Sequence, residues 1–183
     1  MNKKLVIFLG LIAFVLSFTI YESLKLEKKL VKSNYNVTGT VISKIPNELG
    51  WNTFPGQAKF DLVQLMSEGN KIIVHFWATW CGPCEVEFPE LMELSSVLKS
   101  RKDIKFLLVA VNDDLKKIEK FLSKFEILES TIILTDELND FKKFGTFKLP
   151  ETFVFESDGT VIKKFTGQQK WTSTEILNFF KNL

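Results

Sequence analysis

Between positions 72 and 84 the chain reads Ile72-Ile73-Val74-His75-Phe76-Trp77-Ala78-Thr79-Trp80-Cys81-Gly82-Pro83-Cys84, and this stretch constrains the fold more than any other. Its first half is an unbroken run of β-branched and aromatic side chains, without the alternation of a half-exposed strand. Such a run predicts a strand covered by protein on both faces of its sheet. Its second half predicts a helix start, because Pro83 suits a first helical turn, where its missing N–H is not needed. Leu91, Leu94, Val97 and Leu98 then recur at helical spacing and carry that helix to about Arg101–Asp103.

Other segments alternate in the same way. Phe60 to Glu68 reads as a short helix, and Ile104 to Val111 as a second buried strand. Asn112 or Asp113 can cap a helix whose Leu115, Ile118, Phe121, Leu122 and Phe125 share one face. Thr131 to Leu134 predicts a strand, Glu137 to Phe144 a short helix, and Gly145 a terminator. Two strands, Thr152 to Glu156 and Thr160 to Thr166, flank the turn Ser157-Asp158-Gly159, and Ser173 can cap a last helix through Ile176, Leu177 and Phe180. This order predicts a three-layer α/β sandwich, a central mixed sheet flanked by helices. With 183 residues, 45% of them hydrophobic, the chain can hold one such domain and an appendage.

The appendage is N-terminal. After Lys3 and Lys4 the run from Leu5 to Tyr21 contains neither charge nor proline, at the lower edge of the ~17–25 residues that span a bilayer. The bulky Phe18, Ile20 and Tyr21 stand where signal cleavage needs small residues, so residues 1–21 are expected to remain as a membrane-anchor helix. Lysines on both sides of the run leave its orientation open by charge alone. Residues 22–58 read as a stalk and irregular lead-in punctuated by Gly39, Pro46, Gly50 and Pro55, and the folded domain is expected over 59–183.

The chain has two cysteines, Cys81 and Cys84. A bridge this short restrains little chain, so a structural disulfide is a poor account of the pair. A tetrahedral metal site needs four ligands, and His75 is the one further soft donor. Redox chemistry remains. At the start of a helix Cys81 meets unpaired N–H groups and the positive end of the dipole, which favour the thiolate and expose a nucleophile. Cys84, one turn inside, can resolve a mixed disulfide formed at Cys81. Glu87 follows Cys84 by three residues on the same helix face, where it either relays a proton or merely favours the dipole. His75, below the cysteines, is either a satisfied core imidazole or a group that tunes the thiolate. Trp80 borders the substrate surface, while Gly82 and Pro83 tune the pair. Covalent haem attachment is excluded because Glu85, not His, follows Cys84. A net charge of +2 gives no field that would gather nucleic acid.

The string from Phe76 to Cys84 resembles the thioredoxin superfamily. Within it, Glu87 and Pro89 after the cysteine pair, and Leu149-Pro150-Glu151-Thr152-Phe153, are similar to the membrane-tethered TlpA/ResA-like branch and the reductants of cytochrome c maturation. The resemblance covers about 59–183 and implies a thioredoxin-like fold. It also implies a cis Pro150 beside the cysteines, with Leu149 pairing an extended substrate. A bend at Pro89 and an insertion over 115–134 follow from it too. Function is implied likewise: a single-pass, extracytoplasmic (periplasmic-side) thiol–disulfide oxidoreductase, monomeric and without cofactor. It would reduce protein disulfides such as those of apocytochrome c, and be recharged by a membrane thiol–disulfide electron donor.

Two other readings compete. A disulfide oxidase or isomerase would use the same pair at a higher potential, although Gly-Pro between the cysteines resembles thioredoxin, near −270 mV, rather than DsbA, near −120 mV. A copper-binding module on this fold would want a longer cysteine spacing and a better placed histidine.

Overall fold

The computed structural model describes residues 16–19, 21–22 and 42–183. The chain divides into a unit from Met1 to Thr38 and a second from Gly39 to Leu183. The expected anchor and the first part of the stalk lie almost wholly outside the described residues. Those described there, 16–19 and 21–22, are helical, and among the described residues no helix is long and apolar enough to cross a membrane.

In the second unit six strands form one mixed sheet. They are β1 (Asn52–Thr53), β2 (Lys71–Trp77), β3 (Ile104–Val111), β4 (Thr131–Asp136), β5 (Glu151–Phe155) and β6 (Val161–Thr166), in the order β1-β4-β3-β2-β5-β6. β2, β3 and β4 run parallel, while β1, β5 and β6 are each antiparallel to their neighbours. β2 is therefore central, and from Ile72 to Trp77 every residue is buried, which accounts for its lack of alternation.

The helices are α1 (Leu62–Ser67), α2 (Gly82–Val97), α3 (Leu115–Leu122) and α4 (Thr174–Lys181). One sheet face packs Ile73, Trp77, Phe106 and Leu108 against Phe88 and Leu91 of α2, Ile118 and Phe121 of α3, and Ile176 and Phe180 of α4. The other packs Ile72, Val74, Phe76 and Val109 against Trp51, Leu62 and Phe144. Both faces are covered, as expected of a three-layer sandwich, but three of the four helices share one face.

Local chemistry sets the helix ends. Asp61 caps α1 by accepting from Gln64 N at 2.9 Å, and Ser173 caps α4 through Ile176 N. α3 is capped by Asp114, which accepts from Lys116 N and Lys117 N, not by Asn112 or Asp113. Asn112 is in the left-handed region at φ 48°, and the Asp113 carboxylate is occupied by Thr79. Phe125 falls beyond α3 yet still packs on the core. α2 runs unbroken through Pro89.

Two expectations shift. The short helix read at 137–144 is a 3-10 helix that starts later, Asp140–Phe144, because Asp136 takes the Asp140 and Phe141 N–H groups and Asn139 turns left-handed at φ 60°. Gly145 ends it at φ 71°, as expected. The folded unit also begins before residue 59: β1 pairs with β4, Phe60 N donates to Trp51 O, and Ile45 N donates to Gly159 O. Trp51 is fully buried and stacks on Phe144 at 5.6 Å between centroids, so the glycines and prolines around it punctuate a packed segment, not a loose stalk.

Candidate active site

β2 ends at Trp77, and the chain crosses from strand to helix over Ala78–Cys81. Asp113, from the end of β3, ties this crossing down by accepting from Thr79 Oγ1 at 2.7 Å and from Thr79 N. Trp80, 61% exposed, lies over the same loop and donates its indole N–H to Asn112 O at 3.2 Å. Cys81 is the N-cap of α2. Its sulfur accepts from Cys84 N at 3.3 Å and is joined to Cys84 in a disulfide. The N–H that meets this sulfur in the oxidised pair would meet a thiolate in the reduced one.

The sulfur is less open than the sequence suggests. Cys81 is 6% exposed and Cys84 fully buried, so the nucleophile candidate lies recessed in a cavity of about 430 Å³. The lining of this cavity comprises Trp80, Gly82 and Pro83 beside the cysteine, Val111, Asn112 and Phe141, and Phe147, Lys148 and Leu149. Phe147 is 74% exposed at the rim. The Leu149–Pro150 peptide is cis, as expected, and so is Phe54–Pro55, which the sequence reading did not anticipate. Leu149 makes no backbone hydrogen bond among the described residues, which leaves its N–H and C=O available to an extended chain laid across Cys81. The structure thus gathers Trp80, Cys81, Gly82, Pro83 and Leu149 around one opening.

Beneath the cysteines lies a buried polar cluster. Glu87, one turn after Cys84, is 1% exposed, and its Oε2 accepts from Gln169 N at 2.6 Å. His75, fully buried in β2, faces its antiparallel partner Thr152, with Nδ1 to Oγ1 at 2.8 Å. His75 Nε2 and Glu87 Oε1 are 3.6 Å apart, and neither has another hydrogen-bond partner. Leaving such groups unpaired costs about 1–3 kcal/mol each. His75 is therefore only half of the satisfied core imidazole that one reading expected.

Burial decides both protonation states. It pushes the imidazole down to about 3, so His75 is neutral at physiological pH. It pushes the Glu87 carboxyl up to about 7, and the nearby Glu90 adds to the rise. The Gln169 N–H and Trp171, whose indole N–H completes no hydrogen bond, pull the other way. A carboxyl on the face of α2 that carries Cys84, with a midpoint near neutrality, can take up and give back a proton.

Sequence reasoning missed Asp113, Thr152, Gln169, Phe141 and Phe147. Thr152 was within reach, since it belongs to the Pro-Glu-Thr-Phe string. Nothing local marks Gln169, which lies 82 residues from Glu87 in the chain. Among the described residues no three His, Cys, Asp or Glu side chains converge as metal ligands.

Comparisons with known proteins agree with this geometry. The Redoxin family model matches residues 52–179, a span that starts at β1. The thiol–disulfide oxidoreductase ResA of Bacillus cereus is 22% identical over 187 aligned positions, covering 100% of this chain and 99% of that one. ResA of Geobacillus thermodenitrificans is 32% identical over 99 positions, covering 54% of this chain and 56% of the relative. Among solved structures, a putative thiol:disulfide interchange protein DsbE from Chlorobium tepidum superposes with a TM-score of 0.62 at 17% identity, covering 78% of this chain and 95% of that one. StoA from Bacillus subtilis gives 0.55 at 18%, covering 75% and 98%. With its mixed sheet, its Cys81–Cys84 disulfide at a helix start and these relatives, the chain belongs to the Redoxin family, is a TlpA/ResA-like member of the thioredoxin superfamily, and is a thiol–disulfide oxidoreductase.

Proposed function

We propose that the protein is an extracytoplasmic reductant of protein disulfides, held at the membrane by residues 1–21. The observation that carries this reading is the Cys81 sulfur at the N-cap of α2, in contact with the Cys84 N–H and recessed in a cleft with room for a polypeptide segment. In the reduced protein the Cys81 thiolate attacks one sulfur of the substrate disulfide, forms a mixed disulfide and releases the other sulfur, which takes a proton. Cys84 then gives its proton to Glu87 and attacks Cys81 Sγ. The Cys81–Cys84 disulfide closes, and the second substrate thiol leaves. Two electrons pass to the substrate; of the two protons its thiols gain, one is that of Cys84, passed on by Glu87, and the other comes from solvent, which took the Cys81 proton, and a dithiol donor in the membrane restores the pair.

Trp80, Leu149 and Pro150 frame the bound segment, with contact made mainly to backbone; Gly82 and Pro83 keep the approach open. At Gly82 an added Cβ would meet nothing within 4 Å. A protein that reads backbone rather than side chain suits an extended, unfolded substrate, and apocytochrome c with its two haem-binding cysteines fits that description. The Gly-Pro pair between the cysteines supports a reducing potential by its likeness to thioredoxin.

The test is capture by Cys84→Ser in cells. Substrates are expected to accumulate as mixed disulfides on Cys81 and to be identified by mass spectrometry, with apocytochrome c among them. Absence of any adduct, while the unmodified protein remains redox-active, would defeat the reductase reading. A potential near that of DsbA would select an oxidase instead.

A further inference from the structure

We propose that His75 is the positioning residue for Glu87, and that the tautomer of the imidazole records whether the Glu87 carboxyl holds its proton. This rests on the reading that Glu87 exchanges a proton with Cys84. The geometry leaves few alternatives. His75 Nε2 and Glu87 Oε1 face each other at 3.6 Å, just beyond hydrogen-bond length, both buried and neither completing a hydrogen bond, with the Trp171 indole the other side-chain donor that acts on the carboxyl. At Nδ1 the ring meets Thr152 Oγ1 at 2.8 Å, a hydroxyl that both donates and accepts. Glu87 Oε2 is already held by Gln169 N, so Oε1 is the oxygen free to respond.

A slight approach of the two side chains brings Nε2 and Oε1 into hydrogen-bond range, and two proton arrangements then satisfy both of these atoms and Nδ1. With Glu87 protonated, its Oε1–H donates to Nε2, and Nδ1–H donates to Thr152 Oγ1. With Glu87 ionised, Nε2–H donates to Oε1, and Thr152 Oγ1–H rotates to donate to Nδ1. The imidazole stays neutral in both, as its burial demands; the proton that Glu87 gives up goes to the Cys84 thiolate or to solvent, and the ring answers by carrying its own single proton on the other nitrogen. An Asn or Asp here could not do so, because neither can exchange donor for acceptor at two opposite ends without changing charge.

The surroundings add little competing charge. From α2 the pair meets Glu90, bonded to Thr172, and, when reduced, Cys81 and Cys84. From the 167–173 loop come Gln169, Trp171 and the exposed Lys170. From β6, Lys163 lies over the rings of Phe165 and Phe179. Glu151 and Lys164 pair with each other; Glu151 precedes Thr152 in β5 and so points to the opposite sheet face.

His75 is the one histidine in the chain, so its ring nitrogens can be read without assignment. In the oxidised full-length protein, labelled with ¹⁵N, long-range ¹H–¹⁵N spectra from about pH 5 to 9 should show no imidazolium. They should show the proton passing from Nδ1 to Nε2 with a midpoint close to that of Glu87. Glu87→Gln should abolish the transition. In His75→Asn the Glu87 carboxyl, followed by ¹³C shift, should titrate at higher pH, because the ring's bond to the ionised carboxylate is stronger than its bond to the neutral acid. A tautomer that does not change with pH in the unmodified protein, an unaltered transition in Glu87→Gln, or imidazolium in this range would overturn the proposal. None of these outcomes depends on substrate. A flat titration with mixed disulfides still captured would defeat the tautomer switch alone, and failed capture with an intact titration would defeat the reductase reading alone.

Discussion

Because burial raises the Glu87 carboxyl from 4.5 to about 7, the unfolded chain ionises at this position before the folded one does. Between those values the folded state holds the extra proton, so this group's contribution to stability is complete below pH 4.5 and is lost as pH rises to about 7. A shift of this size corresponds to about 3 kcal/mol. Glu87→Gln keeps the shape, the bond from Gln169 N and a neutral side chain at every pH. Urea unfolding should therefore find this variant near wild-type stability at pH 4 and about 3 kcal/mol more stable at pH 8. A difference that does not change with pH would contradict the raised carboxyl. His75 has the opposite sign: its depressed value removes stability as pH falls from 6.5 towards about 3.

Adjacent aspartates divide two tasks at the junction of β3 and α3. Asp114 does the ordinary work of an N-cap, so Asp114→Ala should lower stability by about 1 kcal/mol and leave insulin-disulfide reduction unchanged. Asp113 instead crosses to the cysteine loop through Thr79. Asp113→Ala should cost about 1–3 kcal/mol and also lower disulfide reduction, because the loop that aims Cys81 and Trp80 loses its tether. Equal effects of the two substitutions on activity would show that the tether does not position the site. The sequence offered Asn112 or Asp113 as the cap because any short polar side chain after a strand qualifies. Neither candidate caps the helix; which of the short polar residues 112–114 turns towards the cysteine loop depended on Thr79, 34 residues before Asp113 in the chain.

Across the whole molecule, the second sheet face is closed by a segment that composition marked as irregular. Trp51 packs on Phe76 and Phe144, and β1 completes the edge beside β4. Trp51→Ala should destabilise the protein by about 3–5 kcal/mol, measured by denaturant midpoint, an effect a residue in a loose stalk would not have. The order of strands and helices and the helix start at the cysteine pair were legible in residues 59–183, because periodicity is local and follows from a few neighbouring side chains, whereas the cis Pro150 was expected from the family resemblance of its loop. The recessed position of Cys81, the unpaired His75 and Glu87 atoms and the bond from Gln169 were not. They arise where β2, α2, β5 and the loop before α4 meet, and burial there sets protonation states that no single segment carries. The sequence by itself determined that two sulfurs sit at the head of a helix; the tertiary structure decided how far they are from water and which proton waits beneath them, since desolvation is a property of the assembled core.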